Sequence, residues 1–157
     1  DPSRHASFAT NCRAFAQALA ERLCLDVEVE AEFREIGFGE WEGLTRDTLK
    51  RERADEYYRF YADPVHQTPP GAEPVAEFFS RVVAAFQHCR TATAGENLLI
   101  VGHAGVNRAI LASALQSDAS SMYNMTVQNG GIARIAERDG KLLLEGLNRR
   151  FSDEGVG

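Results

Sequence analysis

A histidine, His103, lies where an apolar run of the chain changes into a helical pattern. Residues 97–101 form a short apolar run that ends in two β-branched residues, which predicts a buried parallel strand. Gly102 and Gly105 interrupt the pattern, and the apolar periodicity of residues 106–115 then predicts a helix. His103 would lie at the carboxyl end of a strand, where open α/β sheets bind ligands, beside helix amides that attract an anion. A histidine beside an anion site indicates phosphate chemistry.

Three better-known motifs do not fit this stretch. A phosphate-binding P-loop needs Lys followed by Ser or Thr at the helix start, where this chain has Asn107 and Arg108. A nucleophile elbow would have Ser at the position of Ala104, which argues against a serine hydrolase. The glycine spacing also differs from the dinucleotide-binding fingerprint. The plainer alternative is that His103 only caps a core helix, and a second stretch favours the functional interpretation.

The second stretch is residues 33–43, in which three glycines are interleaved with aromatic and acidic residues. This composition does not suit a regular element and predicts a shaped loop, and such loops often carry function. Glu35, Glu40 and Glu42 are therefore candidate general acids. For any single one of them, a solvated loop carboxylate is the more common case.

Composition narrows the class of protein. A length of 157 residues suffices for one domain with a real core, and 44% apolar and 25% charged residues are ordinary for a globular protein. The net charge of −6 argues against nucleic acid as the main partner, and no run approaches membrane-spanning length. No signal peptide is visible, and the three cysteines suit neither zinc nor a disulfide framework, so we expect a cytoplasmic location. The four histidines show no paired ligand spacing, and we expect no metal.

Helices are predicted in three further places. A first helix should follow a cap at Thr10 or Asn11, and a polar helix with an aromatic end should cover residues 45–61. The clearest pattern follows Pro74, where apolar residues recur at helical spacing over residues 75–86. That pattern predicts a helix that covers a sheet and carries no chemistry.

Strands are predicted from alternation and from turn signals. Val27 and Val29 alternate with acidic residues, which predicts a half-buried strand. Residues 128–131 and the pair Asp139-Gly140 are strong turn signals. They predict strands over residues 125–127, 132–136 and 142–147.

Four motifs in chain order resemble the histidine phosphatase superfamily, the phosphoglycerate mutase-like group. They are residues 33–43, 69–73, 101–106 and 128–132. The residues of these motifs are most similar to those of small bacterial phosphatases, including the adenosylcobalamin/alpha-ribazole phosphatases. The resemblance implies an α/β protein, a three-layer α/β/α fold with a mostly parallel central sheet. It also implies a single domain over residues 1–157 that lacks the family's N-terminal strand and first helix.

The resemblance also implies a chemistry. The family hydrolyses or transfers phosphomonoesters without metal, and one histidine attacks phosphorus to become a phosphohistidine. His103 matches the family's second histidine, which holds phosphoryl oxygens, and the Ala104 amide should contribute to the anion site. Glu35 matches the acidic residue that protonates the leaving oxygen and then helps to activate water. The resemblance implies no cofactor.

The nucleophile is the main departure from the family pattern. The family begins with an apolar strand ending in Arg-His-Gly, but no apolar strand precedes Arg4 and His5, and Asn11 stands where the family has an arginine. Three alternatives follow. The nucleophile lies outside this chain; or His5 is the nucleophile, with Arg4 at the phosphate; or the protein is a degenerate member that binds phosphate without catalysis. We favour them in that order, and an ordinary terminal residue is the competing interpretation of His5.

The predicted function is therefore that of a phosphomonoesterase acting on a small phosphate ester, such as alpha-ribazole phosphate or a sugar or glycerate phosphate. The alternative is a non-catalytic phosphate-binding module. A phosphoglycerate mutase is less favoured because the link between Gly43 and Pro69 is short and leaves the site open to water. The expected partner is the small-molecule ester, with no nucleic acid and no membrane, and a homodimer is left open.

Overall fold

The computed structural model describes residues 3–94 and 97–150, with side chains from Cys12 onward. The α-helices are α1 (Ser3–Leu23), α2 (Arg46–Glu52), α3 (Ala54–Ala62), α4 (Val75–Ala92) and α5 (Ala104–Ala114). Short 3-10 helices cover Ala31–Phe33, Gly39–Trp41 and Ala119–Asn124, and the strands are β1 (Ile132–Arg138) and β2 (Lys141–Arg149). None of the described helices is long and apolar enough to cross a membrane.

The core forms where α4 packs on α5. Pro74 precedes α4 as its cap, and the apolar residues that follow turn inward at helical spacing. Val75, Phe78 and Val82 of α4 are 0% exposed, and so is Val106 of α5. The helix predicted from the periodicity is confirmed, although in the described structure it packs on α5 and on the first 3-10 helix. Because the apolar faces of α4 and α5 are buried against each other, their packing sets the position and orientation of the first turn of α5.

The polar helix predicted over residues 45–61 is two helices. Thr45 caps α2 through its side-chain oxygen, and the backbone of Arg53 (φ −137°, ψ 43°) separates α2 from α3. The aromatic end of α3 turns inward, so that Phe60 is 1% and Tyr57 is 8% exposed. The Trp41 ring lies 5.3 Å from Phe60 and 6.3 Å from Tyr57. These rings anchor the end of the 33–43 loop in the core.

A β-hairpin follows the long loop after α5. Asp139 and Gly140 adopt positive φ angles of 52° and 73°, as a tight two-residue turn requires, and β1 and β2 pair antiparallel across it. The hairpin predicted from this dipeptide is confirmed, and both strands extend beyond the predicted residues 132–136 and 142–147.

Three predicted strands are absent from the part of the chain that the structure describes. Residues 97–101, 125–127 and 27–29 pair with no other strand there. Leu98 and Leu99, predicted to be buried, are 40% and 60% exposed. A strand is defined by hydrogen bonds to a neighbouring strand, and an apolar run alone does not supply the neighbour. The described sheet is two-stranded and antiparallel, so the mostly parallel three-layer arrangement is not seen in it.

Helix α1 begins at Ser3 rather than after a cap at Thr10 or Asn11. The residues before Asn11 include neither Pro nor Gly after Ser3, so no helix breaker stands between the two starts. Phe15 and Leu23 of α1 are each 53% exposed. Both of these apolar side chains in the described part of α1 are therefore largely exposed, unlike Val75, Phe78 and Val82 of α4.

Two backbone hydrogen bonds join the 33–43 loop to residues 69–73, which contain a Pro-Pro-Gly sequence. The Glu40 amide donates to the Pro70 carbonyl at 3.1 Å, and the Glu73 amide donates to the Gly37 carbonyl at 2.8 Å. The loop predicted from the glycine and aromatic pattern is confirmed. The shape of this loop therefore depends on its hydrogen bonds to residues 69–73 as well as on its own residues.

We predict that Gly39→Ala destabilises the protein more than Gly43→Ala. Both glycines have positive φ, 54° and 78°, so either substitution places alanine in the left-handed region at a cost of about 1–2 kcal/mol. A Cβ at Gly39 would also overlap the Pro70 carbonyl oxygen, whereas nothing lies within 4 Å of a Cβ at Gly43. Urea unfolding should show an excess loss of about 1 kcal/mol or more for Gly39→Ala. Equal losses in the two variants would contradict this account.

Candidate functional site

His103 lies immediately before helix α5. Its backbone is extended (φ −78°, ψ 166°), and Ala104 is the first helical residue. The Asn107 amide makes a hydrogen bond to the His103 carbonyl at 3.0 Å, which closes the first turn. Amides ahead of that bond have no acceptor within the helix, and the helix dipole adds partial positive charge there. The predicted placement of His103 at a helix start is confirmed.

Glu35 reaches this helix start from the 33–43 loop. Its Oε2 accepts a hydrogen bond from the Gly105 amide at 3.1 Å, and its Oε1 accepts one from the Ile36 amide at 3.1 Å. A Cβ at Gly105 would overlap Oε1 of Glu35, so glycine at this position is what admits the carboxylate. The Gly105 amide at the start of α5 therefore already binds a carboxylate, that of Glu35.

The other two candidate acids make different contacts. Glu40 Oε2 lies 2.8 Å from Arg53 Nη1, in an ion pair whose Glu40 side chain is 55% exposed. Glu42 Oε1 accepts a hydrogen bond from the Phe38 amide at 3.1 Å. The first contact ties the loop to the junction of α2 and α3, and the second lies within the loop. Glu35 is the candidate acid that the structure shows bonded to the start of α5.

Cys12 of α1 contacts the histidine. Its Sγ lies 3.8 Å from His103 Nδ1, although 91 positions separate the two residues in the sequence. Burial, and to a smaller extent the nearby Glu35 carboxylate, raise the pKa of the Cys12 thiol, which therefore stays protonated at neutral pH. A protonated thiol can donate to Nδ1, an arrangement that leaves Nε2 of the ring as the N–H donor. No sequence pattern indicated this contact.

A cavity of about 1270 Å³ joins these groups. Cys12, Glu35, His103 and Ala104 all line it, together with residues of α4, the segment before α5 and the hairpin. It is larger than the usual small-molecule site of about 300–1,000 Å³, and the apolar segment 97–101 forms part of its wall. The structure therefore brings together three predicted site residues, Glu35, His103 and Ala104.

Two predicted site residues are not tested. Arg4 and His5 belong to α1, but their side chains lie outside the described part of the structure. Among the side chains that are described, no group of three or more His, Cys, Asp or Glu residues could hold a metal ion. The described site therefore consists of a carboxylate, an imidazole, a thiol and the start of a helix.

An ion pair beneath the 33–43 loop was not predicted. Arg81 Nε and Nη2 lie 2.7 and 2.8 Å from the two carboxylate oxygens of Glu73, and the side chains are 12% and 18% exposed. The hydrogen bonds from Arg81 hold the pKa of Glu73 below its ordinary value. Arg81 belongs to α4, a helix that the sequence pattern assigns to packing alone. Eight positions separate the partners, and neither periodicity nor composition signals such a pair.

The fold and the site together define an α/β protein whose carboxylate and imidazole both lie at a helix N-terminus beside a large cavity. The chain belongs to the histidine phosphatase superfamily, since the model of branch 1 of that family matches residues 4–150. The resemblance inferred from the four motifs is thereby confirmed. The α/β fold class is that of this family.

Similar proteins include named phosphatases. An adenosylcobalamin/alpha-ribazole phosphatase of Salmonella typhimurium is 30% identical over 119 residues, which cover 76% of this chain and 59% of that enzyme. The structure of an alpha-ribazole phosphatase from Shigella flexneri matches with a TM-score of 0.73 at 27% identity, covering 88% of this chain and 69% of that one. A mycobacterial glucosyl-3-phosphoglycerate phosphatase, at 19% identity and a TM-score of 0.76, shows a likeness of fold alone. The chain thus spans only part of each relative, 59% of the Salmonella enzyme.

We predict that Cys12→Ala lets the His103 ring exchange between its two neutral tautomers. We expect the thiol of the unmutated protein to donate to Nδ1, which would keep the ring proton on Nε2. Nitrogen-15 NMR in alkaline solution should show distinct protonated and unprotonated ring nitrogens, and averaged signals in the variant. Cys89→Ala removes another half-buried cysteine and should leave the His103 signals unchanged. Unaltered signals in Cys12→Ala would show that a different group holds the ring.

We also predict that the Glu73–Arg81 pair makes stability fall in acid. The pKa of Glu73 is lower in the folded than in the unfolded chain, so the contribution is fully present above its ordinary value of about 4.5 and is lost as the pH falls toward the folded-state pKa. Glu73→Gln should therefore flatten the decline in the free energy of unfolding between about pH 5 and pH 3. Arg51→Met, which breaks an exposed pair with Glu52, should leave the slope unchanged. A Glu73→Gln variant as acid-sensitive as the unmutated protein would refute this assignment.

Proposed function

We propose that the protein hydrolyses a small phosphomonoester through a phosphohistidine intermediate. The observation that carries the proposal is the meeting of Glu35 and His103 at the N-terminus of α5, beside the cavity. A phosphoryl group there gains from helix amides, from the dipole and from an imidazole N–H donor. Membership of the histidine phosphatase superfamily supports the reaction class, because the relatives named above are phosphatases.

In the first step, a histidine nitrogen attacks phosphorus and the bond from phosphorus to the ester oxygen breaks. Glu35 gives its proton to that oxygen, and the alcohol departs. His103 Nε2 and the Ala104 amide hold the phosphoryl oxygens while charge shifts between them. Hydrogen bonds from the Gly105 and Ile36 amides support this role of Glu35, because they give its carboxyl group a fixed orientation.

In the second step, water attacks the phosphorus of the phosphohistidine and the phosphorus–nitrogen bond breaks. The Glu35 carboxylate takes the proton of the attacking water, which restores the acid, and inorganic phosphate leaves. Each step is mainly one of positioning and charge stabilisation. The scheme uses no metal and no cofactor.

The nucleophile has two candidate positions. It is either a histidine outside these 157 residues, which we favour, or His5, with Arg4 as a phosphate ligand. The first assignment is supported by the backbone of this region, because Arg4 and His5 belong to helix α1 and not to the end of a strand. The third alternative, phosphate binding without catalysis, is an outcome of the experiment below.

The proposed substrate class is a small phosphate ester, alpha-ribazole phosphate or a sugar or glycerate phosphate. The names of the Salmonella and Shigella relatives support the first of these. The acidic net charge of −6 supports a protein that binds neither nucleic acid nor an anionic membrane surface. A cytoplasmic location is supported by three free cysteines in the described structure, and a homodimer is proposed as the assembly to test first.

The proposed architecture of the whole protein is the three-layer α/β/α fold with a mostly parallel central sheet. The exposed leucines of residues 97–101 support it, since apolar side chains of this kind are normally buried in a sheet. The match to the Shigella enzyme, which covers 69% of that chain, supports it as well. In this arrangement residues 97–101 and 27–29 would be strands once they have neighbours.

Hydrolysis of p-nitrophenyl phosphate tests the proposed function. If His5 is the nucleophile, the chain should turn over this ester with no loss of rate in EDTA; if the nucleophile lies outside these 157 residues, the chain alone should be inactive and the assay needs a longer protein that includes that histidine. His103→Ala should lower kcat/KM by about a hundred- to a thousandfold, because one preorganised donor to the phosphoryl oxygens is lost. His88→Ala removes an exposed histidine of α4 and should retain full activity. His5→Ala decides the nucleophile, since loss of turnover in it would place the nucleophile at His5.

Full activity in His103→Ala would refute the role assigned to that residue. If a protein that includes the outside histidine also shows no turnover, while phosphate or vanadate raises its melting temperature, phosphate binding without catalysis is supported instead. Detection of a labelled phosphohistidine on the chain would exclude that alternative.

A further inference from the structure

We propose that Arg81, acting with Glu73, is a positioning residue that sets the orientation of the Glu35 carboxyl group. The inference deepens the proposed function and depends on the role of Glu35 as the acid. Neither Arg81 nor Glu73 touches the reacting atoms in this account. Their effect passes through the backbone on either side of Glu35.

Arg81 holds the backbone just before Glu35. Its Nη1 donates to the carbonyl oxygens of Glu32 and Arg34, the latter at 3.1 Å. Arg34 immediately precedes Glu35, so this bond fixes the peptide plane from which the acid projects. With the two bonds to Glu73, the guanidinium of Arg81 uses four donor contacts.

Glu73 holds the backbone just after Glu35. Its amide donates to the Gly37 carbonyl at 2.8 Å, while its carboxylate accepts both bonds from Arg81. The loop is therefore fixed at Arg34 and at Gly37, one residue before Glu35 and two residues after it. Between these points, the Ile36 amide binds Glu35 Oε1.

The part of α4 that carries Arg81 is held in the core. Val82, the residue after Arg81, is 0% exposed, and the Arg81 guanidinium lies 4.7 Å from the centre of the Phe78 ring. Both belong to the face of α4 that packs in the core. Since α5 packs against the same helix, Glu35 is held relative to the helix start that it caps. Charge-assisted bonds of this two-pronged geometry are strong and directional.

Lysine at position 81 would keep the charge but could not reproduce the contacts. An ammonium group is a point charge with three rotatable donors, whereas the guanidinium is a planar fork with five. Arg81→Lys should therefore loosen the loop without removing the positive charge near Glu73. Arg53→Met is the matched control, because Arg53 pairs with Glu40 in the same loop but contacts neither neighbour of Glu35.

The first measurement compares two esters that differ in leaving group. Phenyl phosphate needs a proton on its leaving oxygen more than p-nitrophenyl phosphate does, so a misplaced acid slows the former more. For Arg81→Lys we expect kcat on phenyl phosphate to fall about 10- to 100-fold, with a fall of only a few-fold on p-nitrophenyl phosphate and little change in KM. Glu35→Gln should give the same pattern, and Arg81→Lys should add little to it.

The second measurement does not depend on activity. The Gly105 amide precedes the first intrahelical bond of α5, so its protection from hydrogen exchange reports its bond to Glu35. At one fixed pH, Glu35→Ala should abolish that protection, and Arg81→Lys should speed exchange at Gly105 about tenfold. Arg53→Met should leave it unchanged, and amides in the core of α5 serve as the internal control for global unfolding.

The outcomes separate the two proposals. Unchanged Gly105 exchange in Arg81→Lys, or equal losses of kcat on both esters, would overturn the positioning role while leaving the proposed function intact. Faster Gly105 exchange in Arg81→Lys, with neither ester hydrolysed even by a protein that includes the nucleophilic histidine, would support the positioning role and count against the proposed function. A rise in exchange across all of α5 would mean that Arg81 only stabilises the fold, which also overturns the inference.

Discussion

The contact between the Glu35 carboxylate and the Gly105 amide, 3.1 Å from Oε2 to nitrogen, is the interaction on which the site depends. It joins the 33–43 loop to the start of α5, two segments separated by 70 positions. It exists because the first amides of a helix lack intrahelical acceptors and because glycine leaves room for the carboxylate. The free amide of Gly105 and the carboxylate of Glu35 each follow from their own local sequence, but only the fold brings the two groups together.

That contact also decides how an anion can bind. Partial positive charge at the helix start attracts a phosphoryl group, yet Glu35 already brings a carboxyl group to the same place. In the proposed function, an ester would bind beside Glu35 and use the remaining donors at Ala104 and His103. The proposed acid and the ester would then lie close together, because the same end of α5 attracts both groups. Cys12 adds a contact to Nδ1 of His103, on the other side of the ring from Nε2.

Some elements could be predicted from the sequence because their causes are local. The α4 helix follows from its apolar spacing and from Pro74, and the hairpin follows from Asp139 and Gly140. The strand predicted over residues 97–101 failed for the opposite reason, since a strand requires a partner that its own residues do not specify. The choice of Glu35 among three loop carboxylates came from family resemblance, because composition treats the three alike. Arg81 and Cys12 were missed because each acts through a residue distant in the chain.

Within the described residues, helix packing positions the site. Val106, in the first turn of α5, is fully buried against the core that α4 forms, so the position of the helix start follows from helix packing. The loop that carries Glu35 is held to the same helix by Arg81. In the described structure Glu35 and His103 are thus both held against the pair of helices α4 and α5, whereas Leu98 and Leu99 remain exposed.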